Sequence, residues 1–276
     1  VRVGVASGKG GTGKTLVATN LAATIGTDLA DLDVEEPNAH LSFGSGAMST
    51  MPVSRPVPTV NAGRCDLCGE CARVCAFGAL VRLPDRIKVH EELCHGCGAC
   101  IRLCPRGAIV EVGHEVGELT VVRANGRRLT YGRLRVGEPL AVPLIKEVKD
   151  ALPLDRTTIM DCPPGTTCMM IESVRGSDYV VMVTEPTPFG VHDLLLASDV
   201  LKRMGIPHGV VINKDGQGGA DVAAVCTERG LTVLGRIPFR RDIAERYARG
   251  ELLLDRLEDR QMFLDLWRAV LREVRA

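Results

Sequence analysis

Apolar and small residues run almost unbroken through Val1 to Ser7, then give way to a glycine-rich stretch and to Leu16 to Ile25, a proline-free segment of helix composition. Buried strand, glycine loop and helix, in that order, are what a phosphate cradle requires. A second apolar run at Asp28 to Val34 predicts another strand, ending in Asp31, Asp33 and a Glu-Glu-Pro sequence. Strand-like runs recur at Thr157 to Asp161, Tyr179 to Thr184, His208 to Ile212 and Val233 to Ile237. Helical patterning occupies Pro143 to Leu152, Val191 to Met204, Ala220 to Arg229 and Asp259 to Val274. Alternation of this kind predicts an α/β fold, a parallel sheet with helices on both faces. Glu118 to Val136 reads instead as a β-ribbon turning at Asn125-Gly126.

The middle of the chain breaks this rhythm. Pro52, Pro56 and Pro58 predict a stiff connector and a domain boundary. Beyond them, Arg64-Cys-Asp-Leu-Cys-Gly-Glu-Cys-Ala-Arg-Val-Cys returns as Leu93-Cys-His-Gly-Cys-Gly-Ala-Cys-Ile-Arg-Leu-Cys. Two such copies describe a duplicated mini-domain rather than a solenoid. The expected organisation is one α/β domain in two parts, 1–56 and 113–276, with a cysteine-rich unit inserted at 57–112.

Composition narrows the function classes. Thirty-four Lys and Arg balance 34 Asp and Glu over 276 residues, which disfavours a nucleic-acid coat or a polybasic membrane binder. No apolar run approaches the ~20 residues of a membrane helix, and the first residues lead into glycines rather than a signal core. A cytoplasmic protein without nucleic-acid partner or stable membrane insertion is expected. Phe263, Leu266, Trp267, Val270, Leu271 and Val274 share a helical face, flanked by Asp259, Asp265, Glu273, Arg260, Arg268 and Arg272; mixed charge of this sort predicts core packing rather than a membrane anchor. Aromatics are only 3%, so the core must be aliphatic. Eleven cysteines, eight of them between Cys65 and Cys104, ask for metal rather than disulfides.

Cys65, Cys68, Cys71 and Cys75 are matched in spacing by Cys94, Cys97, Cys100 and Cys104-Pro105, and the spacing resembles that of bacterial ferredoxins, in which the fourth Cys of each run serves the other cluster. That assigns Cys65, Cys68, Cys71 and Cys104 to one 4Fe-4S cluster, and Cys94, Cys97, Cys100 and Cys75 to a second. A four-thiolate zinc site competes, but it uses two Cys pairs, not two triplets with equally spaced fourth members. Ala76 stands where the pattern usually has Pro, a change in turn shape rather than in ligands. His95 is expected as a neighbour of the ligands or a surface residue. Of the remaining cysteines, Cys226 is expected in the core.

Gly8-x-x-x-x-Gly13-Lys14-Thr15 satisfies the P-loop pattern in the right context. Backbone amides from Gly8 to Thr15, including those of Gly10, Gly11 and Thr12, would close around phosphates of ATP or ADP, with Lys14 on the outer phosphates and the Thr15 hydroxyl placed for Mg²⁺. The strand ending at Asp161 has the Walker B arrangement, and Pro163-Pro164-Gly165 follows it. With Lys9 included, the loop resembles that of the MinD-type ATPase superfamily, which contains nitrogenase iron protein, the arsenite-pump ATPases and the Mrp-like iron–sulfur carriers. The resemblance extends over nearly the whole chain through Asp33-Val-Glu-Glu-Pro-Asn38, Asp161-Cys-Pro-Pro-Gly165 and Asn213. It implies that Lys9 reaches the phosphates of the opposite subunit in an ATP-dependent homodimer or a heterodimer with a paralogue. It also implies that Asp33 positions the attacking water, with Asp31 competing for the role, and that Asn213 lies against the purine. Gly216 leaves no carboxylate for a guanine edge, so ATP is favoured over GTP. Cys168, seven residues past Asp161, matches the offset of a subunit-bridging cluster ligand in nitrogenase iron protein.

These features predict a Mg²⁺-dependent ATPase whose nucleotide state is coupled to electron transfer through two 4Fe-4S clusters, passing electrons to or from a redox partner. An Mrp-type iron–sulfur carrier and a MinD-like spatial regulator are the alternatives.

Overall fold

A computed structural model describes residues 1–275. The first half of the chain forms β1 (Arg2–Ala6), α1 (Lys14–Ile25), β2 (Asp28–Asp31), α2 (His40–Phe43), β3 (Ala47–Val60), α3 (Glu70–Val74), β4 (Leu80–Arg82), β5 (Ile87–Val89), α4 (Ala99–Arg102), β6 (Ile109–Ala124) and β7 (Arg127–Leu134). The second half forms α5 (Val142–Asp150), β8 (Thr158–Asp161), α6 (Cys168–Val174), β9 (Tyr179–Thr184), α7 (Pro188–Arg203), β10 (His208–Asp215), α8 (Val222–Glu228), β11 (Val233–Pro238), α9 (Arg241–Ala248) and α10 (Leu257–Arg275).

Nine strands make one sheet in the order β11-β10-β9-β1-β8-β2-β7-β6-β3. The seven from β11 to β7 are parallel, and β6 and β3 add antiparallel at one edge. Period-2 alternation divides the side chains between two cores. Val3, Val5, Ile159, Val181 and Val183 pack with Leu16, Val17 and Leu21 of α1 and Phe263, Leu266 and Val270 of α10. Met160, Val180 and Met182 face the other way, onto Leu144, Ile145 and Val148 of α5 and Leu194, Ala197 and Leu201 of α7. The C-terminal apolar face is therefore spent on the core, with Trp267 and Val274 packed at its margin. No helix among the described residues is long and apolar enough to cross a membrane.

The proline-rich segment is not the connector that its composition predicts. It is β3, a 14-residue strand paired along its whole length with β6, from Ala47 opposite Arg123 to Val60 opposite Ile109. Proline lacks the N–H a ladder needs, so it is tolerated in a paired strand only where its nitrogen faces away from the partner. Pro52, Pro56 and Pro58 are separated by even steps and share one such side. The hairpin between β6 and β7 turns where expected, with Asn125 at φ 51° and Gly126 at φ 71°, the pair of positive values a two-residue turn of this hand demands.

The last β6–β7 pair is Gly117 with Leu134. Beyond it β3 and β6 continue alone, Ser54 to Val60 against Glu115 to Ile109, as a two-stranded overhang. Because β3 runs in the same direction as β2, this overhang projects past the edge of the sheet where the parallel strands end. The expected boundaries at 56/57 and 112/113 fall within it, where Pro56 pairs with Gly113 and Val57 with Val112. Its tip carries a small unit with its own core of Val57, Cys71, Ala79, Leu80, Ile87, Cys94, Cys100 and Ile109, stiffened by the β4–β5 hairpin.

Candidate functional site

Parallel strands deliver their C-terminal ends to one edge of the sheet, the usual place for a ligand in such folds. Here β1 leads into the P-loop, β2 into Asp33, β8 ends on Asp161, β9 leads to Glu185, β10 carries Asn213 and Lys214, and β11 leads to Phe239. A cleft of ≈ 360 Å³ lies among them, lined by Gly10, Gly11, Gly13, Lys14, Thr15, Asp33, Asn213 and Lys214 together with Phe239, Ile243 and Tyr247. The loop's glycines answer to specific neighbours: a Cβ on Gly8 would lie 2.1 Å from the Asp193 carbonyl oxygen, and Gly13 adopts φ 93° with Asn213 Nδ2 2.2 Å from where its Cβ would be.

The donor set fits a magnesium nucleotide. Lys14 is buried at the first position of α1, and the Thr15 hydroxyl donates to Asp161 Oδ2 at 2.6 Å. The other oxygen, Asp161 Oδ1, is buried without any hydrogen-bond partner, an arrangement that a cation would satisfy. Burial pushes the Asp161 carboxyl up to about 6 against the pull of Lys14 and Thr15. Asp31 is raised as well, by burial first and by the Asp161 charge second.

Asp31 and Asp33 separate cleanly. Asp31 is fully buried and its oxygens accept from the amides of Asp33, Asn38 and Ala39 at 3.1, 2.9 and 2.9 Å, so it shapes the loop and does not line the cleft. Asp33 is half-buried and lines the cleft. Burial raises its carboxyl, and Lys14 opposes the rise. Asn213 does two things: it lines the cleft, and its Nδ2 donates to the Thr12 carbonyl at 2.7 Å, bracing the P-loop from behind.

Lys9 folds back within its own chain. Its Nζ lies 2.5 Å from Glu185 Oε1, while Lys214 Nζ donates to Glu185 Oε2 at 2.8 Å and to the Gly11 carbonyl at 3.0 Å. Burial opposes ionisation of Glu185, but hydrogen bonds from Lys214 and Lys9 hold its carboxyl below the ordinary glutamate value. A carboxyl lowered in this way contributes stability that is complete above about 4.5 and is lost only as pH falls through the lower folded value. At neutral pH the pair is intact, and protons do not release Lys9. Glu185 escapes a motif search, yet it follows the apolar run Tyr179–Thr184 just as Asp161 closes its own strand, and that parallel is a usable signal. Ile243 and Tyr247 are missed because α9 is short and polar, with Arg241, Asp242, Glu245 and Arg246 among its eight residues, and Phe239 because it stands alone between β11 and that helix.

At the tip of the overhang the eight clustered cysteines surround two cavities. One is walled by Cys75, Cys94, Cys97 and Cys100, the other by Cys65, Cys68, Cys71 and Cys104. Each ring takes three thiols from one repeat and the fourth from the other, so the exchange arises from packing as well as from spacing. Equivalent backbone amides point at the two crossing sulfurs: Ala79 N donates to Cys75 Sγ and Ala108 N to Cys104 Sγ, both at 3.3 Å. Burial pushes the Cys100 thiol up to about 11, with Cys94 adding to the effect. Among the described residues no three His, Cys, Asp or Glu side chains converge as a single-ion site requires; the thiols stand around a space instead. That donor set, four thiols per cavity with amides on the sulfurs, fits a thiolate-bound cluster.

His95 stacks on Phe77 at 3.8 Å between ring centres and shares the wall of the first cavity. Cys226 and Cys162 are fully buried in the sheet's core, whereas Cys168 is exposed at the start of α6.

The family model for the CobQ/CobB/MinD/ParA nucleotide binding domain matches residues 3–254. An uncharacterized protein of Methanocaldococcus jannaschii is 30% identical over 260 residues, 91% of each chain. Among solved structures, the septum site-determining protein MinD complexed with Mg-ADP from Pyrococcus horikoshii OT3 superposes with a TM-score of 0.60 at 18% identity, covering 100% of this chain and 98% of that one. A ParA family ATPase from Chlorobium tepidum TLS gives 0.57 at 13% identity over 98% and 97%. With residues 3–254 inside the family model and the P-loop at the head of its sheet, the chain belongs to the CobQ/CobB/MinD/ParA family of nucleotide-binding P-loop ATPases.

Proposed function

We propose that this ATPase uses a nucleotide-gated homodimer to control two 4Fe-4S clusters held by its cysteine-rich unit, a bacterial ferredoxin-type insertion, and passes electrons to or from a redox partner in the cytoplasm. The observation that carries the reading is the crossed pair of four-cysteine cavities, Cys75 with Cys94, Cys97 and Cys100, and Cys104 with Cys65, Cys68 and Cys71. When bound, such clusters supply one-electron chemistry. The overhang bearing them projects past the same sheet edge as the nucleotide cleft, which supports coupling between the two.

The chain's own residues divide the ATPase work. P-loop amides and Lys14 bind and neutralise the phosphates, and Thr15 with Asp161 holds Mg²⁺. Asp33 orients water against the γ-phosphate. Lys9, once it leaves Glu185, crosses to the partner's nucleotide. Removing Glu185's charge therefore favours assembly: Glu185→Gln is expected to lower the protein concentration for ATP-dependent dimerisation about 2–5-fold, the range for a part-exposed ion pair. Sedimentation velocity with ATP measures this, and an unchanged or weakened dimer would remove Glu185 from the account.

The test of the function is an anaerobic redox titration followed by electron paramagnetic resonance with ATP, with ADP and without nucleotide. Two cluster signals are expected, with potentials or partner reduction that depend on nucleotide; zinc without acid-labile sulfide would overturn the reading. Positioning of cargo on a surface is the second reading, favoured by the likeness to MinD and a ParA family ATPase. At 18% and 13% identity those likenesses carry the fold rather than the task, and co-sedimentation with vesicles in the presence of ATP tests it.

A further inference from the structure

Where the β3–β6 overhang leaves the sheet, a buried cation ties it to the nucleotide domain. Arg55 is 3% exposed. Its Nη1 donates to the Cys94 carbonyl and its Nη2 to the Glu91 carbonyl, each at 2.7 Å. Its Nε faces Glu138 Oε1 at 3.5 Å and has no hydrogen-bond partner. Glu138, with its side chain 2% exposed, also has His114 Nε2 2.8 Å from its other oxygen, and His114 Nδ1 lies 2.9 Å from Glu91 Oε2.

Glu138 belongs to the segment after β7, and that segment is fixed to the nucleotide site. Leu134 N donates to the carbonyl of Val34, the residue after Asp33, at 2.8 Å, and Glu138 N donates to the Arg135 carbonyl at 3.0 Å. A continuous path thus runs from the Asp33 loop through Glu138 and Arg55 to the peptide of Cys94. The same cysteine loop rests on β3 at Gly96, where a Cβ would meet the Pro56 carbonyl oxygen at 3.0 Å. Among the described residues, the wall of the cavity ringed by Cys65, Cys68, Cys71 and Cys104 includes no β3 residue. The Arg55 contact is therefore particular to one ring.

A guanidinium suits this place because it is planar, permanently charged and able to serve two carbonyls at once. Without it, the buried Cys94 carbonyl and the part-buried Glu91 carbonyl lose donors and Glu138 loses its countercharge. We propose that Arg55 is the positioning residue for the cavity of Cys75, Cys94, Cys97 and Cys100, orienting the Cys94 peptide with a positive charge beside it, and that Glu138 is the contact through which the Asp33 loop acts on it. The inference rests on the reading that this cavity holds a cluster; outer contacts of this kind orient ligands and tune what they hold.

Anaerobically purified wild type, Arg55→Met, Arg55→Lys and Glu138→Gln test it, each assayed for iron and sulfide and by the redox titration with ATP and with ADP. Arg55→Met is expected to lower the potential of one cluster, or to lose that cluster's half of the iron, while the second signal stays at its wild-type potential. Arg55→Lys keeps the charge but not the fork, so the potential should largely recover while iron from that cluster is lost to a chelator faster. Glu138→Gln should raise the same potential and abolish its difference between ATP and ADP. Equal shifts in both clusters, or full iron with no shift in any variant, overturn the role of Arg55 and leave the cluster reading standing. Absence of sulfide from the wild type takes down both. If Arg55→Met does not fold, the Arg55→Lys and Glu138→Gln results decide.

Discussion

Asp33→Asn is expected to reduce ATP turnover by about 10²-fold or more, while magnesium nucleotide binding stays within a few-fold of wild type. The carboxylate lines the cleft and is separate from the Thr15–Asp161 pair to which the cation is assigned in the proposal. Amide replaces carboxylate with almost no change in volume, so the loss would report the ability to hold and accept a proton from water rather than the shape of the pocket. Turnover by phosphate release, alongside binding of a fluorescent ATP analogue, separates the two effects. A variant that hydrolyses normally would move the role away from β2 altogether, since Asp31's oxygens are already engaged by the amides of residues 33, 38 and 39. Asp31→Asn should instead loosen that loop and lower stability before it lowers turnover, and a melting curve distinguishes it from Asp33→Asn.

The second large effect concerns which cysteines belong together. Cys104→Ser is expected to remove the same paramagnetic signal as Cys65→Ser, and Cys75→Ser the same signal as Cys94→Ser, each variant retaining about half of the iron. Sequence order alone would group Cys75 with Cys65, Cys68 and Cys71; the packing puts it in the other ring. Iron content and spectra of the four variants, prepared without oxygen, provide the measurement. If Cys104→Ser instead silences the signal lost in Cys94→Ser, the crossing is wrong even though the metal is right. Zinc retained in stoichiometric amount by all four would reject the iron assignment itself.

Much of the nucleotide half was legible because its signals are local. Residues 8–15 state their own chemistry, and the core strands are near-continuous apolar runs, which anticipates a layer of helices on either side. The Asn125-Gly126 turn announces the hairpin because only a few residue types accept two positive φ values in succession. Strand β3 beside it is hidden, since prolines at 52, 56 and 58 look like breakers unless it is known that the strand has only one neighbour, and that is a tertiary fact. For α9 the obstacle was composition: Ile243 and Arg246 are its buried residues, too few apolar positions to set a period. Pairs such as Lys9 with Glu185, 176 residues apart, leave no local trace because neither side chain is unusual until the sheet brings them together. Arg55 and Glu138 were invisible for the same reason.

The prolines of β3 also govern how copies of this protein can meet. A sheet of nine strands that ends in a 14-residue margin offers a long row of backbone groups to any other extended chain. At positions 52, 56 and 58 the outward-facing amide hydrogens are missing, so another strand laid along this side finds gaps in the ladder over the outer half of its length. Growth by strand addition is blocked there, so the margin that an open sheet would otherwise offer to fibre formation is closed by three missing hydrogens.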